Sequence, residues 1–180
     1  MKYALIDPQS GLELTLFIYD QFDGFSKGKI MAAVVNPDDS YYLVVLNSQG
    51  KTITDKYSKI YPSSNGISTV AKGIVYGEKD KILNEGKWGF IDTSGVVIVP
   101  LIYDKAKSFS EGLGLVKLNN KFGFVNQKGE CVIKCIYEKA LDFKNGMSGV
   151  TLNERSFAID KNGKELTIEE MAELIKTKNK

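Results

Sequence analysis

The chain contains no histidine. That single absence removes histidine-dependent triads, dyads and proton shuttles, and with them the commonest metal ligand. Arginine is almost missing too. Arg155 stands alone among 24 basic residues, which face 22 acidic ones for a net charge of +2. The side chain best suited to reading phosphates and bases is therefore scarce, and no nucleic-acid partner is expected. No run approaches the ~18 apolar residues of a membrane-crossing helix. Met1 to Ile6 meets Asp7 before a signal-peptide core can form, so a cytoplasmic chain without a membrane partner is expected. The two cysteines, Cys131 and Cys135, fall four apart in a strand-like segment. That spacing sets them about 13 Å apart on one face, too far for a disulfide. They read as buried apolar side chains, and without histidine they make no zinc set. No metal and no cofactor are expected. Against only 4 prolines stand 17 glycines, 9 tyrosines and 9 phenylalanines, a balance that favours β structure with many tight turns.

What the chain does have is repetition. Trp88-Gly89-Phe90-Ile91-Asp92-Thr93-Ser94-Gly95 returns as Phe122-Gly123-Phe124-Val125-Asn126-Gln127-Lys128-Gly129, and again, degraded, as Ser156-Phe157-Ala158-Ile159-Asp160-Lys161-Asn162-Gly163, a period of 34 residues. Leu43 to Gly50 fits the same frame, and so does Tyr3 to Asp7, followed by Gly11 with one residue inserted. A second marker keeps the register. Tyr19, Tyr57, Tyr103 and Tyr137 each precede a glycine by nine residues, at Gly28, Gly66, Gly112 and Gly146. Phe25, Phe109 and Phe143 stand three before their glycines.

Each copy has a physical reading. The first segment alternates with period two and is a strand. The Asp or Asn that follows bonds the backbone two residues on, and the glycine three later turns left-handed, giving a type I turn with a bulge. A second strand, Val96 to Val99 in one copy, is expected to end at Pro100. A connection through Tyr103, Phe109 and Gly112 then leads to a third strand, Leu113 to Leu118. Asp7, Asp92 and Asp160 are therefore turn formers rather than catalytic carboxylates, because Asn47 and Asn126 hold the equivalent places and asparagine is no acid or base. The four tyrosines read as packing residues between copies. At the C-terminal end, Thr167-Ile168-Glu169-Glu170 forms a capping box, and Ile168, Met171, Ala172 and Ile175 recur at helical spacing. One amphipathic helix near 168–178 is expected, capping the last hairpin.

The run Gly86 to Gly95, then Val97-Ile98-Val99-Pro100, and Tyr103 with Phe109-Ser110-Glu111-Gly112 resemble the bacterial WG (or KWG) repeat. The resemblance runs from Tyr3 to about Leu166 and is strongest in the copies at 88 and 122. The signature pair is intact at Trp88-Gly89 and becomes Phe122-Gly123, Leu43-Val44, Tyr3-Ala4 and Ser156-Phe157 elsewhere. The resemblance implies a bacterial β-repeat scaffold with no enzymatic activity and no catalytic residues to carry over.

The expected architecture is all-β. Antiparallel three-stranded meander copies of about 34 residues start near 3, 43, 88, 122 and 156 and form a curved open array with one C-terminal capping α-helix. The alternative is a propeller-like closed ring. Residues 1–180 read as a single repeat domain, a monomer rather than an obligate oligomer. Two copies carry insertions, at 29–42 and 67–87, both at the same hairpin of the copy and so on one side. The longer offers Ile74, Val75, Tyr76, Lys79 and Lys81, and the shorter Asp38, Asp39 and Tyr41, as a partner-binding set. The expectation is a non-catalytic scaffold, not an enzyme, that binds another protein as an adaptor or a toxin-neutralising immunity protein. The alternative is a glycan or small-ligand module that stacks Trp88 and the repeat aromatics on sugar faces.

Overall fold

Every copy folds around its Asx turn. The computed structural model describes residues 2–16, 18–26, 28–37, 40–62, 65–76 and 81–177. In it the side chains of Asp7, Asn47, Asp92, Asn126 and Asp160 accept the backbone N–H two residues on, from Gln9, Gln49, Ser94, Lys128 and Asn162, at 2.7–3.0 Å. In the last four copies the same oxygen also takes the N–H four residues on. The turn glycines 11, 50, 95, 129 and 163 lie at φ 73–85°, where only glycine is at ease.

The same glycine seats each copy on the one before it. A methyl group at Gly50 would lie 2.6 Å from the Leu14 carbonyl oxygen, and at Gly95 and Gly129 it would run into the carbonyls of Ile53 and Ile98. Leu14, Ile53 and Ile98 each stand three residues past the preceding turn glycine. At Gly163 the neighbour is the Ile133 side chain at 3.5 Å, while around Gly11 nothing lies within 4 Å. At positions 50, 95 and 129 the repeat glycine is thus demanded twice, by its dihedral and by the backbone beneath it.

The chain divides into two compact units, Met1–Val97 and Ile98–Lys180. In the first, β1 (Gln21–Ser26), β2 (Lys29–Val35) and β3 (Tyr41–Leu46) form one antiparallel sheet in that order. A second antiparallel run joins β4 (Lys59–Tyr61), β5 (Ile67–Tyr76) and β6 (Ile82–Asp92). The opening segment forms isolated bridges, Tyr3 with Tyr19 and Ile6 with Glu13, instead of continuous strands. Tyr19, Ala32, Val44 and Leu46 make a core here, with Leu5 and Phe22 packed against it.

In the second unit β7 (Val97–Tyr103) leads to a sheet of order β11-β10-β9-β8, built from β8 (Lys105–Ser110), β9 (Leu113–Leu118), β10 (Lys121–Asn126) and β11 (Cys131–Tyr137). Next come β12 (Lys139–Ala140), β13 (Met147–Leu152) and β14 (Arg155–Asp160), paired in sequence order. The sheets are open, with none closed on itself. The core gathers Leu115, Phe124, Ile133, Tyr137, Phe143, Val150 and Ile159 from successive copies. The rings of Phe124 and Phe143 meet edge to face at 4.8 Å. Tyr19, Tyr57, Tyr103 and Tyr137 are all buried, as packing residues should be. Burial also raises the hydroxyl pKa values of Tyr57, Tyr103 and Tyr137.

The all-β expectation with one terminal helix holds, and four details differ from it. Lys105–Ser110, read as a connection, is strand β8, so a sheet runs between the corners after Tyr103 and Tyr137 and shares strands of two neighbouring copies. Pro100 does not end its strand, since β7 continues to Tyr103 with Pro100 exposed. Cys131 is exposed, not buried, and Cys135 is half-buried. Both share the parity of the buried Ile133 and Tyr137, but register shifts on either side of Phe124 break the regular pleat of β11. Burial pushes the Cys135 thiol up to about 11, so it stays protonated.

Helix α1 (Ile168–Thr177) begins at the expected capping box: the Thr167 N–H donates to Glu170 at 2.9 Å and the Glu170 N–H to the Thr167 hydroxyl at 3.2 Å. No residue of α1 is buried. A methyl group at Gly146 would meet Leu174 at 3.4 Å, whereas Ile168 and Ile175 of the apolar stripe remain exposed.

Candidate functional site

The first unit holds the two overlong hairpins. In β2–β3 the pairing runs from Ile30–Leu46 to Val35–Tyr41, and the inserted length is spent on the loop 36–40, closed by the Asn36 N–H to the Ser40 carbonyl at 2.7 Å. In β5–β6 the insertion instead lengthens the ladder itself, from Ile67–Asp92 out to Tyr76–Ile82. The inner half of β5 is buried from Ile67 to Ala71, and its outer half emerges into solvent. Gly73 and Gly86 face each other where the two halves meet, both at positive φ (75° and 67°). A methyl at Gly86 would strike the Lys72 carbonyl. Beyond this glycine pair the ribbon has no core to fill, yet it carries Val75, Tyr76, Ile82 and Leu83, which are 37–63% exposed.

Tyr41, at the start of β3, and Tyr76, at the end of β5, converge on one cation. Lys59 of β4 lies 5.5 Å from the centre of the Tyr76 ring. A hydrogen bond to Tyr76 holds its ammonium above the usual lysine value despite partial burial, and Tyr41 adds to the effect. Ile74 is half-buried and donates its N–H to the Ser58 hydroxyl at 3.2 Å, while Lys81 is exposed beside Ile82. The structure therefore brings one residue of the shorter insertion, Tyr41, beside the longer insertion's Tyr76. Asp38, Asp39 and Lys79 lie outside the described residues.

Two features had no sequence signal. Lys59 belongs to a strand of three residues, too short for any period to show. Next to it Tyr61 stacks on Trp88 with ring centres 5.9 Å apart and planes 4° from parallel. The Trp88 Nε1 donates to the Glu85 carbonyl at 3.2 Å. On the face of β3 opposite Tyr41, a groove of about 580 Å³ is lined by Tyr42, Val44, Thr54, Asp55, Lys56 and Lys72, among others. There Lys56 sits 4.2 Å over the Tyr42 ring, and Lys72 pairs with Asp55 at 2.7 Å. Among the described residues no group of His, Cys, Asp and Glu side chains is placed to hold a metal ion. No described helix is long and apolar enough to cross a membrane.

Residues 88–122 and 122–155 match the family model described as "WG containing repeat". Residues 88–155 are two WG repeats. Two WG copies are thus matched directly, and the segments at 3, 43 and 156 share their turn, the one at 43 also their seating on a carbonyl. In the WG copy at 122 the structure explains the glycine of the pair: a methyl there would lie 2.5 Å from the Ile133 carbonyl oxygen and 2.7 Å from the Cys135 nitrogen. The aromatic partner varies more freely because its position is only half-buried at Trp88 and Phe122. No curated protein matches the chain. One solved structure, "Crystal structure of the eukaryotic initiation factor", is similar at TM-score 0.48 and 9% identity, covering 83% of this chain and 43% of that one. The chain thus spans less than half the length of that structure's chain.

Proposed function

We propose that the chain is a non-catalytic WG-repeat scaffold that binds another protein through the two overlong hairpins of its first unit. The observation that carries this reading is the exposed apolar end of β5–β6, with Tyr76 and Tyr41 gathered on Lys59. Aromatic rings beside exposed aliphatic side chains and a single cation match the makeup of a protein–protein contact. A catalytic reading has less to draw on. Asp7, Asp92 and Asp160 are consumed by their turns, and the repeat tyrosines by the core. The glycan alternative rests on Trp88, one of whose ring faces is taken by Tyr61 and whose N–H is taken by Glu85. In the finer form of the proposal the chain is a bacterial cytoplasmic adaptor or an immunity protein that neutralises a toxin.

The test uses Tyr76→Ala and Val75→Asp, with Lys134→Ala on the exposed side of β11 as a control. The product of the neighbouring reading frame is titrated into each by calorimetry. A loss of about tenfold or more in affinity is expected for the two hairpin variants and none for the control. Unchanged affinity in both hairpin variants, with the fold intact by circular dichroism, overturns the proposal. A neighbour that proves toxic without the chain supports the immunity form.

A further inference from the structure

The glycine of the WG pair sorts the copies by their second strand. The copies at 88 and 122 keep it, as Gly89 and Gly123, and run on into the continuous strands β7 and β11. The copies at 3, 43 and 156 hold Ala4, Val44 and Phe157 in its place. Among the described residues their second segments form no continuous strand but isolated bridges: Ile6 with Glu13, Leu43 with Tyr57, Leu46 with Thr52, and Ile159 with Glu165. At Gly123 the cause is plain, because β11 crosses so near that a methyl group would lie 2.5 Å from the Ile133 carbonyl oxygen and 2.8 Å from the Cys135 sulfur. A side chain at that station lifts the second segment away. A threonine then bridges the gap: the Leu5 N–H donates to the Thr15 hydroxyl at 2.8 Å, and the Val45 N–H to the Thr54 hydroxyl at 2.9 Å. The copy at 43 is also shortened, since Tyr57 follows its turn glycine by seven residues whereas Tyr103 and Tyr137 follow theirs by eight.

In that copy the space left over is the groove of about 580 Å³. Its floor is Val44 and Tyr19, both buried, with Tyr42 and Thr54 at the sides. The charged lining is Asp55, Lys56 and Lys72. Lys72 is paired with Asp55 at 2.7 Å, while Lys56 lies over the Tyr42 ring and forms no ion pair among the described residues. One positive charge is thus left uncompensated above an apolar floor. Thr54 has spent its oxygen on the Val45 N–H and keeps its proton to donate. The volume falls within the range of small-molecule sites.

We infer that this groove binds a small organic monocarboxylate, with its apolar body against Val44 and Tyr42 and its carboxylate met by Lys56 and Lys72. The single spare charge matches a monoanion, and the apolar floor selects against acids too small to cover it. The site owes its existence to the loss of the WG glycine, which in the copy at 122 lets the second strand fill the same space. It lies on the opposite face of β3 from Tyr41 and does not rest on the hairpin-binding proposal.

Amide NMR titration of the full chain at low salt tests this with benzoate, neutral benzamide, acetate and phenyl phosphate. Benzoate is expected to saturate with a Kd of about 1 mM and to shift the amides of residues 42–44, 52–56 and 72. Benzamide and acetate are expected to bind at least about tenfold more weakly, the first for want of charge and the second for want of an apolar body. Lys56→Gln and Lys72→Gln, each checked by circular dichroism, are expected to weaken benzoate about fivefold or more. Asp55→Asn is expected to tighten it, and Lys128→Gln, in the turn of another copy, to leave it unchanged. The absence of saturable shifts at these residues overturns the inference, as does wild-type affinity in both lysine variants. Equal binding of benzamide or acetate overturns it too. Phenyl phosphate bound about tenfold tighter than benzoate overturns the monocarboxylate assignment in favour of a phosphate ligand.

Discussion

The hairpins β9–β10 and β5–β6 occupy the same place in their copies and have opposite fates. In β9–β10 the buried run Leu113–Val116 pairs with Gly123–Asn126, and a two-residue turn closes the ladder two pairs later. In β5–β6 the inner half repeats that arrangement, with Phe90 and Ile91 fully buried, and then the ladder continues past the Gly73–Gly86 pair into solvent. The inner half is fixed by the neighbouring copies on which it packs. The outer half meets Ser58 and Lys59, while its Val75, Ile82 and Leu83 stay exposed and join no core among the described residues. A scaffold of stacked copies can lengthen one hairpin without disturbing the seat of the next, and the extra residues become available for recognition.

Substitution in the two halves gives the widest contrast. Phe124→Ala removes a ring with 0% exposure from the core of the second unit and is expected to cost about 3–5 kcal/mol in denaturant unfolding. Val75→Ala, at 47% exposure, is expected to change stability by less than about 0.5 kcal/mol. Equal costs would mean that the outer ribbon is as firmly packed as the core. The turn glycines give the next contrast. Gly129→Ala combines a left-handed dihedral with a collision at the Ile98 carbonyl and is expected to cost about 3 kcal/mol or more. Gly11→Ala shares the dihedral without the collision and is expected to cost about 1 kcal/mol, measured in the same way. The smallest effect separates structure from chemistry within a single turn. Asp92→Ala loses two backbone hydrogen bonds and is expected to cost about 1 kcal/mol, while Asp92→Asn keeps them and leaves the melting temperature nearly unchanged.

The turns were legible because an Asx side chain and a glycine three residues apart answer to one local geometry, repeated four times and once more with a residue inserted. The capping box of α1 was legible for the same reason. What escaped depended on contacts between copies. A sequence period has no intrinsic starting point, so nothing in it announced that the sheets run from the corner at Asp104 to the corner at Glu138. Glu138 braces its corner by accepting the Asn153 and Glu154 N–H groups at 3.3 and 3.4 Å and pairing with Lys121 at 3.0 Å. Strand β8 was missed because Ala106 and Phe109, its inward residues, are separated by a bulge that spoils the alternation. The helical stripe on α1 revealed an apolar face but not its cover, and Ile168 and Ile175 have none within the described residues. Of the candidate site, the lengths of the two insertions pointed to the hairpins. The meeting of Tyr41 and Tyr76 at Lys59 depended on three strands whose adjacency no single segment encodes.

The seating of each turn glycine on the carbonyl behind it has a direction, and that direction matches the order in which a ribosome releases the chain. Leu14 emerges before Gly50, Ile53 before Gly95, Ile98 before Gly129. Translation thus supplies every support ahead of the copy that leans on it. A nascent chain of this kind can settle copy by copy, each seat already made when the turn that leans on it emerges.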